Sequence, residues 1–141
     1  VRENAKVLAE KYGKELIIID GPPGIGCAVI ASLSGVDLAL IVTEPTLSGI
    51  HDLERILNLT HHFGILSLVC INKHDLNEEN TEKIEEYCRE NGIETAAEIP
   101  FDEDVTRAMV NGKPVTELDG KAAGEIRGLW EKVKGYLVSK R

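Results

Sequence analysis

Four short aliphatic runs, each closed by a polar or proline-bearing cluster and separated by stretches of helical periodicity, limit most strongly what this chain can fold into. Leu16-Ile17-Ile18-Ile19 runs into Asp20-Gly21-Pro22-Pro23-Gly24, and Leu38-Ala39-Leu40-Ile41-Val42-Thr43 into Glu44-Pro45-Thr46. Residues 65–71 end in Asn72-Lys73-His74-Asp75, and residues 95–99 in Pro100-Phe101-Asp102. Short runs without polar alternation suit strands that helices cover on both faces of a parallel sheet. Successive right-handed βαβ units follow, and the expected fold class is α/β, a parallel β-sheet flanked by helices. The first strand is expected over residues 15–19.

The intervening segments carry helix signals. Val1, Ala5, Leu8 and Tyr12 recur at helical spacing before Gly13, and residues 29–33 predict a brief helix. Ser48 is the expected N-cap of a helix reaching about Phe63, with Ile50, Leu53, Leu57 and Thr60 on its inner stripe. Asn77 predicts the cap of a charged helix that turns Thr81, Ile84 and Cys88 inward and stops at Gly92. A short helix through Val105, Ala108 and Met109 should stop at Asn111-Gly112. The last helix, from about Gly120, carries Ala122, Ile126, Leu129, Val133 and Leu137 on one face. Its Gly124, Gly128 and Gly135 each weaken it by about 1 kcal/mol relative to alanine, so packing must hold it.

At 141 residues the chain is expected to form a single domain, 1–141. The balance of 16 Lys+Arg against 24 Asp+Glu disfavours nucleic acid and anionic membrane surfaces as partners. Cys27, Cys70 and Cys88 are widely spaced and odd in number, which points to reduced thiols in a cytoplasm rather than a disulfide framework. No signal-peptide pattern opens the chain, and its apolar runs fall far short of the ~20 residues that span a bilayer. The first residue is Val1 and Met109 is the only methionine, so the chain is expected to start inside a longer one.

Ligands of open parallel sheets bind beyond the carboxyl ends of the strands, where the four clusters are expected to share one edge. An aspartate there, Asp20, can accept hydrogen bonds from water on Mg²⁺, and the N–H of Gly24 can approach a terminal phosphate. Asn72 offers donor and acceptor to a purine edge, and Pro100 and Phe101 can pack on the base. Each feature has a plainer use: the Asp20 loop as a strand-to-helix turn, Asn72 as a turn residue, Cys27 as a small buried thiol packing the short helix. No Gly-x-x-x-x-Gly-Lys-[Ser/Thr] loop is present, so the usual phosphate cradle is missing. Asn72-Lys73-His74-Asp75 matches the Asn-Lys-x-Asp motif by which GTPases read guanine, and a GTPase is therefore the alternative. Against it, three residues separate Asp20 from Gly24 where the GTPase pattern has two, and Ile99-Pro100-Phe101-Asp102 stands where a Ser-Ala turn would be. His61 and His62 are adjacent and splay about 100° apart on a helix, which suits a helix C-terminus better than a shared metal. Lys132, Lys134, Lys140 and Arg141 lack the apolar partner face of a membrane-binding helix.

Asp20-Gly21-Pro22-Pro23-Gly24, residues 34–46, Asn72-Lys73 and Ile99-Pro100-Phe101-Asp102, in this order, resemble the C-terminal half of a MinD-type P-loop ATPase. The resemblance is strongest to the subgroup with a ferredoxin domain inserted after the phosphate loop. It implies an ATP-binding, ATP-hydrolysing, cytoplasmic iron–sulfur protein that works as a homodimer, with an electron-transfer or iron–sulfur client. Position by position, Asp20 resembles the ligand of Mg²⁺-bound water at the start of switch II, and Gly24 the glycine that senses the γ-phosphate. Asp52 matches an acidic helix residue near the phosphate-loop lysine, Asn72 the adenine-contacting asparagine, and Pro100, Phe101 and Asp102 the adenine pocket. Cys27 stands where the distantly related nitrogenase iron protein has a cluster-binding cysteine. The resemblance places the phosphate-loop lysines, the switch I acid and the ferredoxin cysteines upstream, so this chain alone is expected to be inactive. A non-catalytic interaction module is the further alternative. A sheet lacking the strand before its phosphate loop is expected to expose an apolar edge and to self-associate.

Overall fold

A computed structural model describes residues 2–139; Val1 of the first helical stripe and Lys140 and Arg141 of the basic tail lie outside the described residues. The chain divides into two compact units, one ending at Ser34 and the other beginning at Gly35.

The first unit holds two helices, α1 (Arg2–Lys11) and α2 (Cys27–Leu33). Gly13, at φ 60°, adopts the left-handed conformation that ends α1. The expected stripe of α1 is not a buried one, for its Leu8 and Tyr12 are exposed. Residues 14–20 form no strand, which corrects the expectation for 15–19. A β-strand has no hydrogen bonds of its own and exists only where a neighbour completes its ladder. No ladder forms on this run, and Ile18 is 76% exposed. α2 follows Gly26 with no side-chain cap, and Val29 is its buried residue.

The second unit is a parallel sheet of β1 (Leu38–Thr43), β2 (Leu66–Asn72) and β3 (Glu94–Ile99), in that order across the sheet. The sheet thus has three strands where four were expected. α3 (Leu47–His62) and α4 (Glu78–Glu90) make the crossovers, and α5 (Glu103–Val110) and α6 (Lys121–Ser139) follow β3. The central strand is apolar on both faces because both are covered: Leu68, Val69, Cys70 and Ile71 are all buried. Val69 and Ile71 pack with Leu53 and Leu57 of α3 and Ile84 and Cys88 of α4. Leu68 and Cys70 pack with Ala96, Ala97, Ile99 and, from α6, Ala122 and Leu129.

The β2–β3 register slips by one residue: Val69 pairs with Thr95 and Cys70 with Ala97, leaving Ala96 as the extra residue of a β-bulge. The bulge lets Ala96 and Ala97 join one core cluster. The Ala96 carbonyl instead accepts the Lys132 ammonium at 2.7 Å. Two lysines of α6 are thereby committed to the protein itself, since Lys134 pairs with Glu131 at 2.7 Å.

Three helices of this unit start on side-chain caps. Thr46 Oγ1 accepts the Gly49 N–H at 3.0 Å, Asn77 Oδ1 accepts that of Asn80 at 2.9 Å, and Asp102 Oδ1 that of Asp104 at 2.9 Å. The cap of α3 is therefore Thr46 and not Ser48, whose hydroxyl lies 3.2 Å from Thr46 Oγ1. The helix starts earlier than expected because Pro45 ends the extended chain and Thr46 already has the extended backbone of a cap. The helix expected through Val105, Ala108 and Met109 is α5, in which Ala108 is buried and Met109 is 72% exposed.

Candidate functional site

The carboxyl ends of all three strands meet the loops that begin α3, α4 and α5, and their polar clusters interlock. At the end of β1, Thr43 is buried and its hydroxyl donates to the Gly49 carbonyl at 3.1 Å. A Cβ on Gly49 would stand 2.3 Å from the Glu44 carbonyl, so only glycine lets the first turn of α3 close over this loop. Buried Asn80, near the start of α4, donates to the Pro45 carbonyl at 3.1 Å and ties the second crossover to the first loop.

At the end of β2, Asn72 Nδ2 lies 3.4 Å from Glu44 Oε1, and the same oxygen holds the Lys73 ammonium at 2.7 Å. Lys73 is the one non-glycine with positive φ among the described residues, at 55°. That strained backbone turns the chain into the 3₁₀ turn His74–Leu76. Thr81 closes the turn by donating to the His74 carbonyl at 2.7 Å. At the end of β3, the Phe101 N–H donates to Asp75 Oδ1 at 2.7 Å, and His74 Nδ1 lies 3.7 Å from Glu98 Oε2. The Phe101 side chain is 52% exposed and Pro100 half-buried, a ring and a proline available at the rim.

The structure brings Asn72, Pro100 and Phe101 to one sheet edge, where Glu44 meets Asn72 and Asp75 meets the Phe101 N–H. Asp102 sits beside them, but its carboxylate faces two helices: Oδ1 caps α5 and Oδ2 accepts the Ala122 N–H of α6 at 3.1 Å. The Asp104 and Ala122 N–H groups hold its carboxyl below the usual carboxylate range. Asp52 projects from the exposed face of α3, with His51 Nδ1 3.8 Å away. Asp20 and Gly24 belong to the first unit. Asp20 is exposed, and Gly24 takes φ 84° with no atom within 4 Å of a would-be Cβ, so conformation and not crowding calls for glycine there. The cluster on Glu44, buried Asn80 and the Asp75–Phe101 bond were not foreseen. Asn80 had a signal, since it continues the inward stripe of Ile84 and Cys88 at helical spacing.

Among the described residues no group of three or more His, Cys, Asp or Glu side chains could hold a metal ion. An exposed aspartate such as Asp20 still suits Mg²⁺, which keeps most of its waters and takes one or two carboxylates beside substrate phosphates. An iron–sulfur cluster needs several thiolates, and that donor set is not here. Cys27 is exposed, not packed under α2 as a buried thiol, while Cys70 and Cys88 are buried. Burial, with Glu125 adding to it, pushes the Cys70 thiol up to about 11, and burial also raises Cys88.

Parallel strands with helical crossovers, carrying a polar rim at their carboxyl ends, place the chain in the α/β class. Solved MinD structures share the fold: the Pyrococcus furiosus cell division ATPase MinD matches with a TM-score of 0.74 at 25% identity, over 94% of this chain and 56% of that one. MinD of Pyrococcus horikoshii, solved with Mg-ADP, matches with a TM-score of 0.72 at 22% identity, over 91% and 54%. No protein-family model matches the chain. In sequence it is 35% identical over 135 residues to an uncharacterized protein of Methanocaldococcus jannaschii, covering 96% of this chain and 45% of that protein. It is also 35% identical over 126 residues to an uncharacterized ATP-binding protein of the same organism, covering 88% and 46%. The septum site-determining protein MinD of Bacillus subtilis is 28% identical over 145 residues, covering 96% and 54%. In sequence and in fold the chain is similar to MinD-like P-loop ATPases, and it spans about half the length of the curated relatives it matches.

Proposed function

We propose that residues 1–141 are the C-terminal part of a MinD-type ATPase domain that binds Mg-ATP and hydrolyses it, this chain contributing the base site and the switch II loop. The observation that carries the reading is Asn72, held by Glu44 at the carboxyl edge of the sheet, with the Pro100-Phe101 loop pinned beside it by Asp75. The ATP-binding relative and the Mg-ADP complex of a structural neighbour support the choice of ligand. In this reading Asn72 meets the adenine edge, Pro100 and Phe101 cover its face, and Asp102 keeps their loop in place through the caps of α5 and α6. Asp20 would hold a water of Mg²⁺, which supplies charge neutralisation at the phosphates when bound. The N–H of Gly24 faces the γ-phosphate, and Asp52 pairs with the phosphate-loop lysine. Hydrolysis then rests on positioning and N–H donors, with switch II passing the state of the γ-phosphate to a second subunit.

The cellular setting belongs to the same proposal: a cytoplasmic homodimer coupled to an iron–sulfur, ferredoxin-like module and its electron-transfer client. No described helix is long and apolar enough to cross a membrane. Calorimetry on the full-length protein tests the nucleotide reading. Asn72→Ala should weaken Mg-ATP binding about tenfold, the loss expected for a good hydrogen bond and its packing. Asp20→Ala should stop turnover with ATP still bound. Unchanged ATP affinity in Asn72→Ala sinks the base site. An iron–sulfur absorption band in the anaerobically reconstituted full-length protein tests the coupled module, and its absence removes that part alone.

A further inference from the structure

The Asn-Lys-x-Asp match at Asn72-Lys73-His74-Asp75 is engaged internally, and the pattern of that engagement selects a base. The Glu44 carboxylate is paired with the Lys73 ammonium at 2.7 Å. A carboxylate only accepts hydrogen bonds, so the end of the Asn72 amide that meets it must be the NH₂ group. The amide orientation is thus dictated by chemistry: rotating it would set the Asn72 carbonyl against Glu44 Oε1, acceptor against acceptor. What Asn72 then presents to a ligand is its carbonyl oxygen. A purine with a 6-amino group donates to that oxygen. A purine with a 6-oxo group offers it a second acceptor and is repelled.

The aspartate of the motif is equally committed. Asp75 Oδ1 receives the Phe101 N–H at 2.7 Å, which orients the carboxylate toward the β3 loop. Guanine reading needs both oxygens of such a carboxylate turned to the N1–H and 2-amino groups, and this one is anchored elsewhere. One motif that reads guanine in other proteins is here a scaffold for the loop that carries Phe101.

We infer that Glu44 is the specificity-determining positioning residue of the base site, fixing the Asn72 amide so that the site takes 6-aminopurine and rejects 6-oxopurine nucleotides. The inference rests on Asn72 meeting a purine, as proposed above. It is tested on the full-length protein by competition binding of ATP against inosine triphosphate, which has the 6-oxo group without the 2-amino group. Wild type should prefer ATP about tenfold or more, the scale of one mismatched hydrogen bond. Glu44→Gln keeps the shape but can face Asn72 with either end of its amide. It should bring the preference down about tenfold while ATP affinity stays within a few fold. Lys73→Met, which removes the ammonium that holds the same Glu44 oxygen and leaves both Glu44 and Asn72 in place, should move the preference the same way and serves if Glu44→Gln folds poorly. An unchanged preference in both variants, or a wild type that binds both nucleotides equally, overturns the inference. Asn72→Ala separates the two levels. If it weakens ATP while the Glu44 and Lys73 variants keep the preference, the base site stands and the positioning role falls. If it leaves ATP binding unchanged, the base site falls as well.

Discussion

The run Leu16-Ile17-Ile18-Ile19 and the run Leu68-Val69-Cys70-Ile71 are nearly equivalent as sequence, yet the first is an exposed segment outside any helix or strand and the second is the most buried strand among the described residues. The second has β1 and β3 on its two sides and α3, α4 and α6 over its faces. The first has no ladder at all. The same contrast extends to the helices: α2 starts without a side-chain cap, whereas α3, α4 and α5 start on Thr46, Asn77 and Asp102. An aliphatic run states a capacity for burial, and neighbours decide whether it is realised.

The sharpest way to break the comparison is to truncate both runs. Leu68→Ala should cost about 2–5 kcal/mol in urea unfolding, as for a filled core position, and Ile18→Ala should stay within about 0.5 kcal/mol. An equal cost at Ile18 would mean that residues 15–19 are covered in solution, and light scattering would then show whether a second copy covers them. Thiol chemistry gives the next contrast. A thiol-reactive chromophore at neutral pH should label Cys27 in a single fast phase, lost in Cys27→Ser, while Cys70 and Cys88 react only as the second unit opens. A fast phase of more than one thiol would put the two units on the same footing.

Capping separates the units more gently. Thr46→Ala and Asn77→Ala should each lower stability by about 1 kcal/mol, and Ser48→Ala by clearly less, in equilibrium unfolding. Smallest is the acid response of Asp102. Its carboxyl is held below the usual range by the Asp104 and Ala122 N–H groups, so its contribution is complete above the unfolded carboxylate range and fades as pH falls through the depressed folded value. Asp102→Asn should therefore be less stable than wild type near neutral pH and converge with it toward acid, as followed by circular dichroism. A gap that widens on acidification would contradict the assignment of that carboxylate to the two helix starts.

Much of the fold was legible because periodicity and stop signals agreed. β1 was expected at its observed limits, and Asn77, Gly92 and the inward stripe of Thr81, Ile84 and Cys88 fell where the structure has them. The strand over 15–19 was misread because no sequence pattern carries the identity of a strand's neighbour. Ser48 was misread as a cap because the choice between two hydroxyls two residues apart depends on where the backbone first turns. For the candidate site, the residue types at the three strand ends were readable, and so was the convergence of those ends. Glu44 was seen as part of a strand-end cluster but not as the partner of Asn72 and Lys73, since an ion pair across neighbouring strands has no local spacing to announce it.

The bulge at Ala96 makes the length of β3 a quantity in its own right. On one side of it Thr95 pairs with Val69, and on the other Ala97 pairs with Cys70, so the strand changes phase once before it delivers Pro100 and Phe101 to the rim. Substituting Ala96 would disturb a contact. Deleting it would set Thr95 and Ala97 side by side opposite Val69 and Cys70, which are already neighbours, so Ile99 would keep its partner and its face while the local bend and the carbonyl that holds Lys132 would be lost. For this stretch of chain, the extra residue shapes the strand and anchors α6, while the pairing with β2 is indifferent to it.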